Sequence, residues 1–146
     1  MVSYKLVMPE HMNQYGMLFG GNMLKWVDET AWMAVSLDYP GARFVTIGMD
    51  RVEFKRGVSG GSILRFEVKR QRVGRTSVTY VAQVAASRRE LNQSEPEVIF
   101  STDITFVRVD EEGRKRPVEG RVLAVCTSRA LWYSGRIIER ELMGDG

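Results

Sequence analysis

Apolar residues recur along this chain with two different periods. From Asn22 to Leu37 they return every three or four positions, which predicts a helix. At about 100° per residue, Met23, Trp26, Val27, Thr30, Ala34 and Leu37 gather on one face, with Lys25, Glu29 and Ser36 opposite. Asn22 is the expected N-cap, and Tyr39-Pro40-Gly41 the expected stop. Elsewhere the pattern alternates, as in half-buried strands. Tyr4 to Met8 reads as a short first strand ended by Pro9, and Glu10 to Gly21 as a loop. Ala42 to Phe54 is β-rich. Val45, Ile47 and Met49 alternate first, then the phase moves to Val52 and Phe54, which implies a bulge or bend near Asp50. Leu64, Phe66 and Val68 share one face of Ile63 to Arg70. Val78, Tyr80, Ala82, Val84 and Ala86 mark the inward face of the next strand. Phe100, Ile104 and Phe106 do so for Val98 to Val109.

One helix followed by successive antiparallel strands is α+β. The chain has 146 residues, which suits one domain. Residues 1–117 carry the helix and strands, and 118–146 read as an extension of the same domain. There Leu131, Trp132, Ile137, Ile138 and Leu142 suggest further helix.

Hydrophobic residues make up 44% and charged residues 27%, as in globular proteins. The single cysteine, Cys126, allows no intrachain disulfide, and MVSYKLVMPEH lacks a signal-peptide apolar core. No apolar run reaches the roughly 18 residues of a membrane span. A cytoplasmic protein is expected. With one His and one Cys, no Cys/His metal cluster can be assembled.

The chemistry concentrates between Asn13 and Asp28, NQYGMLFGGNMLKWVD. Gly20 and Gly21 allow close backbone approach or φ values that other residues avoid. A helix starting just after them aims unpaired N–H groups at a carbonyl oxygen or anion. Asp28 falls at the edge of the apolar arc, among Leu24, Ala31 and Trp32, with no basic residue in helical reach, whereas Glu29 can pair with Lys25. Such an acid suits a general base or a nucleophile. The alternative is a boundary Asp bonded to water or a loop. His11, the only histidine, is either an acid–base group or a loop residue. Met12, Met17 and Leu18 either face an apolar ligand or anchor the loop.

Asn13, Gly16, Phe19-Gly20-Gly21 and Asp28 resemble the signature of the hotdog-fold acyl-CoA thioesterases, of the acyl-CoA hydrolase group. The similarity continues through VTIGMDRVEF and VGRTS and covers roughly residues 1–110. The resemblance implies a long central helix wrapped by a curved antiparallel sheet of about five strands. It also implies a dimer with active sites at the subunit interface, possibly a hexamer built as a trimer of dimers. Asp28 matches the catalytic carboxylate and Asn13 the Asn that works with it from the partner subunit. In FKRGVSGGS this chain has Gly57 where the family usually has Pro, and Gly61 where it has an acid. That substitution predicts a more flexible loop.

Between Lys55 and Arg89 stand nine basic residues against one acid, Glu67, while the whole chain is only +3. A basic rim there would attract the phosphates of coenzyme A. Gly74-Arg75-Thr76-Ser77 matches the family's CoA-contacting turn, read as mobile, with one guanidinium and two hydroxyls. Lys55, Arg56 and Phe19 are further candidates for substrate contact; a solvated basic face is the other reading. The resemblance implies hydrolysis of acyl-CoA to acid and CoA. Gly20 and Gly21 amides would polarise the carbonyl, and the acyl chain would lie near Trp26, Trp32 and the Met-rich loop. Thr46 and Asp50 stand where they could line the site. No cofactor is expected, since CoA is part of the substrate, and no nucleic-acid partner, since aromatics are not interleaved with the basic turns. Three alternatives remain: a non-catalytic acyl-CoA sensor, a hotdog hydratase or dehydratase using a His–acid pair, and a purely structural oligomer subunit.

Overall fold

A computed structural model describes residues 1–87 and 96–119. Strand β1 (Val2–Leu6) leads through a single 3-10 turn, Pro9–His11, and a loop into helix α1 (Gly20–Asp38). Four strands follow: β2 (Arg43–Phe54), β3 (Ile63–Val73), β4 (Ser77–Ser87) and β5 (Glu97–Val109). They form one five-stranded sheet in the order β1-β3-β4-β5-β2, with every neighbouring pair antiparallel. The first strand lies two residues earlier than its pattern predicts, because Leu6 pairs with Ile63 and the chain turns away at Val7, whose amide donates to the Ser62 carbonyl.

The sheet wraps the helix because its ladders are interrupted. Register shifts fall between Thr46 and Gly48, between Asp50 and Glu53, and again within the β3–β4 and β4–β5 pairs. Each extra residue bends its strand and adds twist. The second break is the one that the phase change near Asp50 predicts. Arg51 takes a positive φ there and reaches the Asp103 carboxylate on β5. The first break was not legible, because Gly48 carries no side chain to reveal a phase.

The core lies between the helix and the concave face of the sheet. Its axis is the i, i+4 row Met23–Val27–Ala31–Val35, flanked by Trp26, Thr30 and Ala34, all buried. Opposite stand Leu64, Phe66, Val68, Tyr80, Phe100 and Phe106. Thr30 is tolerated there because its hydroxyl donates to the Trp26 carbonyl at 2.8 Å. Leu37 departs from the expected face and is 67% exposed. Tyr39 and Phe44, with ring centroids 5.5 Å apart, close that end of the core instead. The Tyr80 hydroxyl donates to Asp38 at 2.6 Å and ties the end of the helix to β4; burial, then this carboxylate, push the phenol pKa up.

β2 forms one edge of the sheet, and its alternation faces away from the core. Val45, Ile47, Val52 and Phe54 are exposed on the isolated chain, while Phe44 is buried. No helix among the described residues is long and apolar enough to cross a membrane. The boundary at residue 117 meets no break: the Val118 amide donates to the Arg75 carbonyl at 2.7 Å, and its side chain packs on the core. The expected helix beyond it lies outside the described residues.

The loop between β2 and β3 is anchored rather than loose. Val58 is buried, its carbonyl accepts from the Leu18 amide at 2.7 Å, and Ser59 bridges to Met17. A Cβ at Gly57 would meet the Met17 methyl, the end of a flexible side chain that would have to move aside. Gly61 has φ +78°, a conformation that disfavours the acid that the resemblance leads one to expect there. A Cβ at Gly61 would meet no atom within 4 Å. Gly61→Ala should therefore lose about 1–2 kcal/mol from backbone strain alone. In urea denaturation this should lower the midpoint with an unchanged slope; a midpoint equal to the parent's would refute it.

Candidate active site

The helix begins earlier than its sequence suggests. Phe19, extended at φ −64° and ψ 128°, is the N-cap, and Gly20 and Gly21 form the first turn. The Phe19 carbonyl accepts from Asn22 at 3.0 Å and from Met23 at 3.4 Å. The amides of Gly20 and Gly21 have no acceptor among the described residues. Asn22 is thus not the cap. Its side-chain amide reaches back to the His11 carbonyl at 3.0 Å, which also accepts from the Phe19 amide at 3.0 Å. Neither glycine has a positive φ. The Phe54 ring lies beside Gly20. Phe19 itself is 55% exposed next to them.

His11 belongs to the scaffold. Its Nδ1 accepts from the Met8 amide at 3.0 Å, and its ring stands edge-on to Trp26 with centroids 4.8 Å apart. A hydratase-type His–acid pair has no counterpart in these contacts. Met12 and Leu18 bridge to each other and pack against the core, so they anchor the loop. Between them, the Asn13 side-chain oxygen accepts from the amides of Tyr15 at 2.9 Å and Met17 at 3.1 Å. The turn closes through Gly16, at φ +72°. This fixes the Asn13 side chain and leaves its NH2 group as a donor without an acceptor among the described residues.

Asp28 lies at the rim of the helix, half-buried, within reach of strand β2. The Thr46 hydroxyl, on β2, donates to one of its carboxylate oxygens at 2.7 Å. The other has no hydrogen-bond partner among the described residues. A cavity of about 380 Å³, open on one side, is lined by Asp28, Glu29, Trp32 and Met33. Glu29 stands 3.9 Å from Lys25, as its spacing predicts. Trp26 is buried against His11 and Phe66 and does not reach this cavity, contrary to expectation. No hydrogen bond joins Asn13 to Asp28 within one chain. Asp50 does not contact Asp28 either; its carbonyl accepts from Thr102 at 2.9 Å.

The basic face is partly neutralised. Arg65 and Lys69 both bind Glu67. Burial opposes the charge on Glu67, but the hydrogen bonds from Lys69 and Arg65 outweigh it and hold the carboxyl below its usual range. Arg56 pairs with Glu97 at 3.2 Å, while Lys55 is exposed. The turn between β3 and β4 is pinned, not mobile: Gly74 donates to the Ser77 carbonyl at 2.7 Å, and Arg108 to the Thr76 carbonyl at 2.9 Å. Arg75 projects from this fixed turn, exposed, with Thr76 and Ser77 half-buried. The structure thus groups Phe19, Gly20, Gly21 and Phe54 at the helix start, and Asp28, Thr46, Trp32 and Met33 farther along it. Phe54 is the contact that the sequence did not single out, because its alternation reads as ordinary strand.

A sequence model of the thioesterase superfamily matches residues 15–92. The chain belongs to this superfamily. An uncharacterized acyl-CoA thioester hydrolase of Zymomonas mobilis is 32% identical over 109 residues, 75% of this chain and 71% of that protein. A hexameric hotdog-fold thioesterase of Campylobacter jejuni superposes with a TM-score of 0.73 at 32% identity, covering 80% of this chain and 88% of the other. The acyl-CoA hydrolase of Staphylococcus aureus, solved with butyryl-CoA and CoA, gives 0.73 at 27% identity over 82% of this chain and 71% of its own. That enzyme was also solved with an Asp or an Asn replaced by Ala. Those two positions have the same separation as Asn13 and Asp28 here. One helix wrapped by a five-stranded antiparallel sheet is the hotdog arrangement.

Proposed function

We propose that this protein hydrolyses acyl-CoA thioesters to a carboxylic acid and CoA. The observation that carries the reading is Asp28: one oxygen is held by Thr46, the other has no partner, and an open cavity lies alongside. Asp28 either takes a proton from water as that oxygen attacks the carbonyl carbon, or attacks the carbon itself to give a mixed anhydride that water then cleaves. Amides of the Gly20–Gly21 turn receive the charge developing on the carbonyl oxygen. The C–S bond breaks, and the CoA thiolate leaves without needing a strong acid. The Asn13 NH2 group orients the carbonyl or the water. No cofactor takes part in this scheme.

Geometry argues that two chains make one site. Asp28 lies seven residues past Gly21, about 10 Å along the helix at 1.5 Å per residue. One carbonyl group cannot meet both on the same helix. A second copy, related by a two-fold axis, brings its Asp28 to the first copy's glycines. The unpaired β2 edge, with Val45, Ile47 and Val52 exposed, is the surface that such a dimer would cover. Arg75, Thr76, Ser77 and Gly74 on their turn, with Lys55 and Arg56, would bind the CoA phosphates and nucleotide.

The test is release of free thiol from a panel of acyl-CoAs, acetyl to palmitoyl, with and without a chelator. Turnover of at least one ester, insensitive to chelation, is expected. Binding of the esters without turnover of any would overturn the reading in favour of a sensor.

A further inference from the structure

We propose that Trp32 sets the acyl length this site accepts, and that the preferred substrates carry short chains of up to about five or six carbons. The inference rests on the thioesterase reading and names its substrate class.

Trp32 follows Asp28 by four residues, so the two stand in one row on the helix, about 6 Å apart along its axis. Both line the same cavity. Unlike Trp26, Trp32 takes no part in the core; it is 50% exposed on the chain. A long side chain on a helix lies over the turn before its own Cα. Asp28 leans back by the same rule, so the spacing of about 6 Å between the two side chains is kept. A thioester carbonyl placed at Asp28 has about 6 Å of helix surface before it meets that ring. Carbon–carbon bonds of about 1.5 Å advance a zigzag chain by somewhat less each, so four or five of them fill the distance. Met33 forms another wall, but its unbranched thioether can move aside for a ligand. The indole is rigid and acts as the stop.

The experiment compares kcat/KM for butyryl-, octanoyl- and dodecanoyl-CoA in the full chain and in Trp32→Leu and Trp32→Ala, with melting curves to confirm folding. The parent should favour butyryl- over dodecanoyl-CoA by at least about tenfold, the scale on which a pocket rejects surplus methylenes. The dodecanoyl-to-butyryl ratio should rise at least about tenfold in Trp32→Ala, with Trp32→Leu between. Should Trp32→Ala fail to fold, Trp32→Leu alone must still raise the ratio. Superimposable length profiles, or a parent that favours dodecanoyl-CoA, would overturn the inference and leave the thioesterase reading intact. No turnover by the parent at any length would overturn both.

Discussion

Asp28→Asn should lower kcat for acyl-CoA hydrolysis by about 10²–10⁴, the usual contribution of a positioned base, while the protein stays folded. The substitution isolates the chemistry because the amide oxygen of Asn can accept the same Thr46 hydrogen bond as the carboxylate. The side chain therefore keeps its place, its size and one of its partners. What it loses is the ability to take a proton or to attack carbon. The thermal midpoint should hardly move, since Asp28 is only half-buried and stands outside the core. CoA should still inhibit with the parent's affinity, because the basic turn at Arg75 is untouched. The measurement is thiol release at saturating substrate, beside product inhibition by CoA. A variant that retains more than about a tenth of the parent's kcat would remove Asp28 from the mechanism under the same principle. Hydrolysis in heavy-oxygen water and rapid quenching together separate the two pathways. Label entering the Asp28 carboxylate in a single turnover marks it as nucleophile; where the label goes to the product acid alone, an acyl-enzyme trapped on quenching marks an anhydride opened at the acyl carbon, and its absence marks Asp28 as base.

Much of the fold was legible because two periods dominate the chain. Leu64-Phe66-Val68 and Val78-Tyr80-Ala82-Val84 alternate without interruption and are buried as that alternation requires. Where the reading failed, a second surface was competing with the core. Val45 and Ile47 alternate too, and Val52 resumes after the bulge, yet all three are exposed, because β2 is an edge strand with an apolar outer face. A hydrophobic period reports burial and does not say against what. Leu37, Trp32 and Met33 make the same point on the helix. At the site, Asp28 stood out by its missing basic neighbours. Thr46, eighteen positions away, was legible as a residue that could line the site, but its hydrogen bond to Asp28 is visible only once β2 lies across the helix. The cap was misread for a related reason. Asn22 is a favourable cap by type, but its side chain is engaged with the His11 carbonyl, a tertiary contact that local preference cannot register. The loops were read as loose because glycine is permissive. Met17 over Gly57, and the carbonyls of Arg75 and Thr76, show how neighbours remove that freedom.

Gly20→Pro should reduce kcat by about 10²–10³ without unfolding the protein, the loss found when one donor to a developing oxyanion is removed. Proline is suited to this position on three counts. Gly20 is the first helical residue, where proline is favoured. Its amide has no acceptor among the described residues, so no internal hydrogen bond is given up. Phe19 is extended, the conformation required of a residue before proline. Stability should hold or rise slightly, because proline restricts the unfolded chain. Gly20→Ala is the necessary companion. Its Cβ would rest against the Phe54 ring at 3.5 Å, an ordinary contact, and it keeps the amide. If the glycine matters for its amide, the alanine variant should stay within a few-fold of the parent in kcat, and the proline variant should not. If it matters only for space, both should fall together, mainly through KM. Equal kcat in the two variants, with both melting like the parent, would mean that the Gly20 amide does not hold the carbonyl. The anion site would then rest on Gly21 alone, whose amide also lacks an acceptor. That distinction decides how the helix contributes: through one aimed amide, removable by a single ring closure, or through the field of its whole first turn, which proline at the first position would barely weaken.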